Sequence, residues 1–351
     1  MAEQFDLAAA AALLQLQADG VILTRGRQIA FMNHAATELL GGDFTGAQTA
    51  KVLPSFLINL QSHACVAAVT LAERFLTLTV STVGVYRLYT LREPQPLPAA
   101  GHVPQELWTD LMNLRLLSQQ LREQMEQLES REGQAMTAKL TRIYHQIHRK
   151  LTNDATLSGL ADGTLPFLPQ PINCAEAVRR IETPLGKLTA EQGIELRTEL
   201  PEELAAAMID GELLNRVLLN LLLNSLTSCR EGDFVRIRLQ VLGDHILLTI
   251  HDSGCGIPAE KLRELLWSKE RSGFAVVQGI LRLHGGSFLI ESDSGSGATV
   301  RLLLPKLKDN VALQSPGAGS MVDVNPILLS GLADFLTPAQ AARLEQTSEF
   351  V

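Results

Sequence analysis

The sequence has few cysteines and no long apolar run. Its 351 residues contain four cysteines, and none of them forms a Cys-x-x-Cys pair, so we expect reduced thiols in a cytosol and no zinc site. No apolar run approaches the roughly 20 residues that cross a bilayer. The N-terminus has no basic segment before an apolar stretch, as a secretory signal would require. We therefore expect a cytoplasmic protein without a membrane span.

Aromatic residues and positive charge are also in short supply. Aromatics make up 5% of the chain, and 38 acidic residues outnumber 30 basic ones, for a net charge of −8. This balance argues against binding to nucleic acid or to an anionic membrane. The hydrophobic fraction of 46% is enough for more than one core, and the length predicts two or three domains of a multi-domain α+β protein.

Residues 1–93 alternate short strands with a helix. A strand at 19–24, a turn at 25–27 and a second strand at 28–32 precede a helix that Asn33 caps and that closes at Gly41. Two more strands are predicted at 74–80 and 83–91. This order resembles a PAS sensor domain, which implies either a small-ligand site or a relay and dimerisation role. The residues leave both open.

Residues 94–165 predict a proline-rich linker followed by two amphipathic helices. The linker is residues 94–104. Apolar residues then recur at heptad spacing in the first helix, and Ser118 occupies the one polar position of that series. A turn is predicted at 131–133, before the second helix. An antiparallel hairpin of this length would form a four-helix bundle with a second copy, so we expect a homodimer. The heptad positions are Leu107, Leu111, Leu114, Leu121, Met125 and Leu128.

Residues 166–306 predict an α/β sandwich that carries two polar motifs. Asn220 and Asn224 lie one turn apart on a leucine-rich helix, where two amide oxygens can hold a hydrated Mg²⁺. Asp252 then ends a strand, and Gly254 and Gly256 allow backbone to approach a flat ligand closely. The segment His284-Gly-Gly follows in the order expected of one fold.

This order resembles the GHKL ATPase fold, and most closely the sensor histidine kinases. The resemblance implies ATP and Mg²⁺ as cofactors. By that resemblance Asn224 would bind Mg²⁺, with Asn220 beside it at the phosphates. Asp252 would accept from the adenine amino group, and Gly254 and Gly256 would line the base. Of the family's glycine-rich phosphate box only Gly273 remains, within the segment 269–274.

The first helix of the hairpin lacks the family's phosphoacceptor histidine. His145 and His148 lie on the second helix instead. They are interpreted either as a solvated basic face or as weak candidates for a displaced phosphoacceptor.

Two functions stay open. The chain is either a two-component histidine kinase whose partner is a response regulator, or a catalytically inactive dimeric regulator, so enzyme activity is uncertain. The sequence of residues 307–351 predicts a flexible linker followed by two short helices.

Overall fold

The computed structural model describes residues 7–60, 64–94, 104–267 and 273–307. The predicted linker, the segment 269–272 of the phosphate box and the predicted tail helices lie largely or wholly outside these residues. Among the described helices, none is both long and apolar enough to cross a membrane.

The N-terminal unit, residues 7–94, wraps three helices and one 3₁₀ turn around five strands. Asn33 caps the second helix as predicted: its Oδ1 accepts from the backbone N–H of Ala36 at 2.9 Å, and Gly41 ends the helix at a φ of 71°. The elements are α1 (Leu7–Gln15), β1 (Gly20–Arg25), β2 (Gln28–Met32), α2 (His34–Leu40), the 3₁₀ turn Thr49–Lys51, α3 (Ser55–Ile58), β3 (Ala64–Leu71), β4 (Arg74–Val83) and β5 (Tyr86–Arg92).

Strand β3 has no counterpart in the sequence prediction. Its residues 65–69 are all buried, so apolar side chains occupy both faces. A strand buried on both faces shows no alternation of polar and apolar residues, and alternation is the signal by which strands are predicted.

Two helices, α4 (Gln105–Gln127) and α5 (Arg131–Asp162), form the predicted hairpin and pack against each other. The prediction of the turn at 131–133 is wrong. The chain turns at 128–130, and Ser130 caps α5 by accepting from the backbone N–H of Gly133 at 3.1 Å. A serine followed by acidic and helix-forming residues is an N-cap signal, and the glycine at 133 obscured it.

Only part of the heptad series is covered by this packing. Leu111 and Ser118 are buried, and the Ser118 hydroxyl lies 3.0 Å from that of Thr141 across the hairpin. Other apolar side chains of the hairpin remain more than two-fifths exposed, among them Leu107, Leu121, Leu128, Met136 and Ile143. The hairpin therefore presents an apolar face that α4 and α5 do not cover for each other.

The C-terminal unit, residues 166–307, follows the predicted order closely. The additional strands β6 and β8 pair only with each other. The elements are β6 (Gln170–Asn173), α6 (Cys174–Glu191), β7 (Glu195–Glu199), β8 (Ala206–Ile209), α7 (Gly211–Ser228), β9 (Phe234–Leu242), β10 (His245–Asp252), α8 (Ala259–Trp267), α9 (Gly273–Leu283), β11 (Ser287–Ser292) and β12 (Ala298–Pro305).

The strands of both units join in one ten-stranded sheet. Its order is β2-β1-β5-β4-β3-β11-β12-β10-β9-β7, so β3 of the N-terminal unit pairs with β11 of the C-terminal unit. Two separate hydrophobic cores lie against this sheet. The sequence predicted an α/β sandwich for the C-terminal unit alone, and in the structure its sheet extends across both units.

Candidate functional site

A cavity of about 750 Å³ opens among α7, α8 and the ends of β10 and β12. Three residues predicted to bind nucleotide, Asn224, Asp252 and Gly256, line it. The remaining lining residues were not predicted. They are Leu221, Ser225, Thr227, Ser228, Ile257, Lys261, Glu264, Leu265, Phe274, Ala298 and Val300.

Asp252 supplies a buried carboxylate to this cavity. The residue is 3% exposed, and its Oδ1 accepts at 3.2 Å from the backbone N–H groups of both Gly254 and Ala298. Burial raises the pKa of the Asp252 carboxyl above its usual range, although hydrogen bonds from Ser225 and from those N–H groups oppose the shift. The two backbone hydrogen bonds hold the carboxyl in a fixed position as an acceptor in a buried part of the cavity wall.

The glycines of the motif serve two different purposes. A Cβ at Gly254 would lie 2.5 Å from the carbonyl oxygen of Ser228. This glycine therefore lets the segment after β10 approach the end of α7, and it does not itself line the cavity. Gly256 lines the cavity at a φ of 67°. Gly297, at a φ of 77°, packs against the backbone carbonyl of Asp252.

The two asparagines of α7 take different places. The exposed side chain of Asn224 lines the cavity. Asn220 does not line it: its Nδ2 donates to the backbone carbonyl of Arg216 at 2.9 Å, and its Oδ1 lies 2.8 Å from where a Cβ at Gly273 would be. Asn220 and Gly273 thus meet at the start of α9, where any side chain at position 273 would displace the amide.

Lys261 adds a positive charge to the cavity that was not predicted from the sequence. It lies on α8 and lines the cavity together with Glu264 and Leu265. The two cations of the segment 269–274, Lys269 and Arg271, are outside the described residues. No local sequence signal marks Lys261, because its place in the cavity depends on how α8 packs.

His284 fixes the start of the helix that carries both asparagines. Its Nε2 accepts from the backbone N–H of Asp210 at 2.9 Å, and its Nδ1 donates to the carbonyl of Ile280 at 2.8 Å. Asp210 in turn caps α7 by accepting from the N–H groups of Glu212 and Leu213. Burial lowers the pKa of His284, which keeps Nε2 an acceptor.

The interpretation of His145 and His148 as a solvated basic face is wrong. His145 is 5% exposed and packs edge-on against Tyr144, with ring centroids 4.8 Å apart. His148 is half-buried and packs edge-on against Trp108 of α4. Burial lowers the pKa of His148, and the charges of His145, Arg115 and Arg216 lower it further. Helical periodicity did not reveal the contact of His148, because its partner Trp108 lies on a different helix.

Comparison with known proteins agrees with this geometry. Residues 209–308 match the model of the histidine kinase-, DNA gyrase B- and HSP90-like ATPase family. The class of domain that the cavity and its motifs define is therefore this ATPase type.

Within this class of ATPase domains, the chain is similar in sequence to sensor kinases. The chain is 30% identical over 152 residues to the adaptive-response sensory kinase SasA of Prochlorococcus marinus, which covers 40% of each chain. It is 32% identical over 145 residues to the sensor histidine kinase MtrB of Mycobacterium tuberculosis, covering 38% of this chain and 25% of that one. Over these residues the chain is similar to sensor histidine kinases. It spans less than half the length of these curated relatives.

Solved structures show a looser likeness. The histidine kinase ThkA, in complex with the response regulator protein TrrA, aligns with 85% of this chain and 98% of its own at a TM-score of 0.42 and 16% identity. Full-length ShkA in complex with AMPPNP aligns with 60% of this chain and 47% of its own at a TM-score of 0.47 and 17% identity.

Proposed function

We propose that the C-terminal unit binds ATP or ADP with Mg²⁺ in the cavity beside Asp252, as part of a two-component signalling protein. The observation that carries this is the buried, oriented carboxylate of Asp252 facing a cavity of about 750 Å³. Adenine presents an amino donor, and a carboxylate held by backbone N–H groups is pre-organised to accept from it. The apolar side chains of Leu221, Ile257 and Val300 suit the faces of the base.

The polar residues of the cavity fit the rest of the nucleotide. Asn224 offers an amide oxygen, a hard ligand of the kind that Mg²⁺ prefers when it keeps several waters. Lys261 is a cation suited to phosphate oxygens. Bound Mg²⁺ would supply neutralisation of phosphate charge. The chain's own residues hold the base and position the phosphate end near α8 and α9.

Titration calorimetry with ADP and Mg²⁺ tests the proposal. Replacing Asp252 by asparagine removes a charge-assisted acceptor, which is worth about 1.5–3 kcal/mol, so affinity should fall roughly 10- to 150-fold. Asn224→Ala should abolish the dependence of affinity on Mg²⁺. The matched controls are Asp244→Asn and Asn113→Ala, at exposed positions distant from the cavity lining.

The proposal is wrong if the wild-type chain binds neither ADP nor a non-hydrolysable ATP analogue. It is also wrong if both controls weaken binding as much as the cavity variants do.

For phosphoryl transfer we propose two alternatives, which differ in whether a histidine of the hairpin accepts the phosphoryl group. In the first, the chain transfers the γ-phosphoryl to a histidine, and His148 is the better placed of the two candidates. The charge of Arg216, one turn before Asn220 on α7, acts on its ring. His145 is too buried to meet a nucleotide without a rearrangement of the hairpin.

In the second alternative the chain is an inactive regulator that works through protein contacts. The absence of any histidine from α4 favours it, since the family's acceptor stands on that helix. Phosphoryl transfer depends mainly on positioning and charge neutralisation, so a misplaced acceptor removes most of the mechanism.

Incubation with Mg²⁺ and γ-labelled ATP distinguishes the two. Acid-labile, base-stable label that His148→Ala removes and His34→Ala retains supports transfer, because His34 is an exposed histidine of the N-terminal unit. Absence of label from a chain that binds ADP supports the regulator.

We further propose that the uncovered apolar face of the hairpin pairs with a second copy, and that a response regulator is the signalling partner. The exposed leucines of α4 support the first point. Light scattering should give the mass of a dimer, and Leu121→Glu should shift it to that of a monomer. A monomeric wild-type chain would contradict this.

A further inference from the structure

Strand β3 belongs to the N-terminal unit by sequence and to both units by packing. It pairs antiparallel with β11 over four residue pairs, from Phe288 opposite Ala68 to Glu291 opposite Cys65. On its other edge it pairs with β4 over its whole length. The strand thus bridges two sheets that the sequence predicts to be separate.

The side chains of β3 alternate between the two hydrophobic cores. Val66 and Ala68 are fully buried in the core of the C-terminal unit. Their neighbours Ala67 and Val69 are buried in the core of the N-terminal unit. Conversely, Leu289 of β11, a residue of the C-terminal unit, lies in the core of the N-terminal unit. Neither core is complete without the other unit's strand.

Helix α8 connects β3 to the nucleotide cavity. It packs across β3 and contributes Leu262, which is 1% exposed, to the core that contains Val66. Its residues Lys261 and Leu265 line the cavity. One helix therefore separates the strand of the N-terminal unit from the cavity.

A second contact joins the units beside this strand. Phe75 of β4 packs against the C-terminal core, and the guanidinium of Arg282 lies 5.5 Å from the centre of its ring. Arg282 is in the last turn of α9, the helix that starts at Gly273.

We propose that β3 couples the N-terminal unit to the cavity, so that a change in that unit's stability or bound state alters the position of α8 and the affinity for nucleotide. The coupling is reciprocal, because two sites that share one structural element shift each other's equilibria by the same factor. Separation of β3 from β11 would expose backbone N–H groups of β11 and remove the surface on which α8 packs. The part that concerns nucleotide rests on the proposed function above.

Hydrogen exchange of the full chain without nucleotide is the first test. Ile22→Val removes one buried methylene from β1, which β5, β4 and β3 separate from β11. Such a change accelerates exchange through opening of the N-terminal unit by roughly 2- to 12-fold. The same factor should appear in β11 and α8. The matched control is Val85→Ala at an exposed position of the turn between β4 and β5, which should leave exchange in β11 and α8 within about twofold of wild type.

The first test overturns the proposal if exchange accelerates in β1, β4 and β5 while β11 and α8 keep wild-type rates. The N-terminal unit would then open on its own.

Saturation with ADP and Mg²⁺ is the second test. Protection of amides in the wild-type chain should extend beyond α7 and α8 into residues 64–71 of β3. Protection confined to the C-terminal unit overturns the coupling and leaves nucleotide binding intact. A chain that binds no ADP overturns the proposed function instead, and the Ile22→Val comparison still decides whether β3 couples the two units.

Discussion

Replacement of His284 by alanine should destabilise the C-terminal unit through the start of α7. The ring is 8% exposed, and its Nε2 accepts the N–H of Asp210. Its edge packs on Phe167, with centroids 5.0 Å apart. Leaving a buried N–H without a partner costs about 1–3 kcal/mol, and the lost aromatic contact about 0.5–1.5 kcal/mol. The expected loss in free energy of unfolding is about 2–4 kcal/mol.

The contribution of His284 to the free energy of unfolding should also depend on pH, in a definite direction. Burial lowers the pKa of His284 in the folded chain, while an unfolded histidine takes up its proton near pH 6.5. The neutral ring therefore contributes its full stability above about pH 6.5. That contribution declines as the pH falls through 6.5 towards the folded pKa, by at most about 1.4 kcal/mol per pH unit. The alanine variant should lack this decline.

Urea denaturation followed by circular dichroism, at several pH values from about 5.5 to 8, measures both quantities. His245→Ala is the control, because His245 is exposed at the start of β10. The reasoning is refuted if His284→Ala is as stable as His245→Ala. It is equally refuted if the difference in unfolding free energy between wild type and His284→Ala does not change with pH.

Three further predictions concern single positions. Gly297→Ala should destabilise the chain by more than Gly295→Ala and weaken ADP binding, because both glycines have positive φ but only Gly297 packs against the carbonyl of Asp252. Equal urea midpoints would contradict this. ADP affinity should fall as the pH drops through the raised pKa of Asp252, since only the ionised carboxyl accepts with both oxygens; calorimetry across that range would show no such trend if the base binds elsewhere. Asn33→Ala should cost about 2–4 kcal/mol, because its amide joins β1, α2 and the end of α1 through several hydrogen bonds. Asn59→Ala should cost less than about 1 kcal/mol in the same denaturation assay.

The sequence predicted those elements whose signals are local. The cap at Asn33, the leucine-rich helix of Asn220 and Asn224 and the strand ending at Asp252 depend on neighbouring residues and on periodicity, and all three are confirmed. The turn between α4 and α5 was misplaced by three residues because a glycine was taken as the break. That glycine, Gly133, lies in the first turn of α5, where the conformational cost of a glycine is small.

The site was predicted only in part. Asn224 and Asp252 could be placed near each other because both motifs follow a known order along the chain. Lys261 and Ser225 could not, since their place in the cavity depends on how α8 and α7 pack. The burial of His145 could not be predicted either, because burial of a residue on an amphipathic helix depends on how that helix packs in the tertiary structure.

The sequence by itself determined most of the helices, the two polar motifs and the family that those motifs resemble. Those properties follow from short-range spacing and from turn chemistry. The tertiary structure alone decided that β3 joins the two units in one sheet, that its side chains divide between two cores and that α8 lies between it and the cavity. Pairing between distant strands depends on which edges and faces meet, and a strand with apolar residues on both faces carries no local mark of its partner.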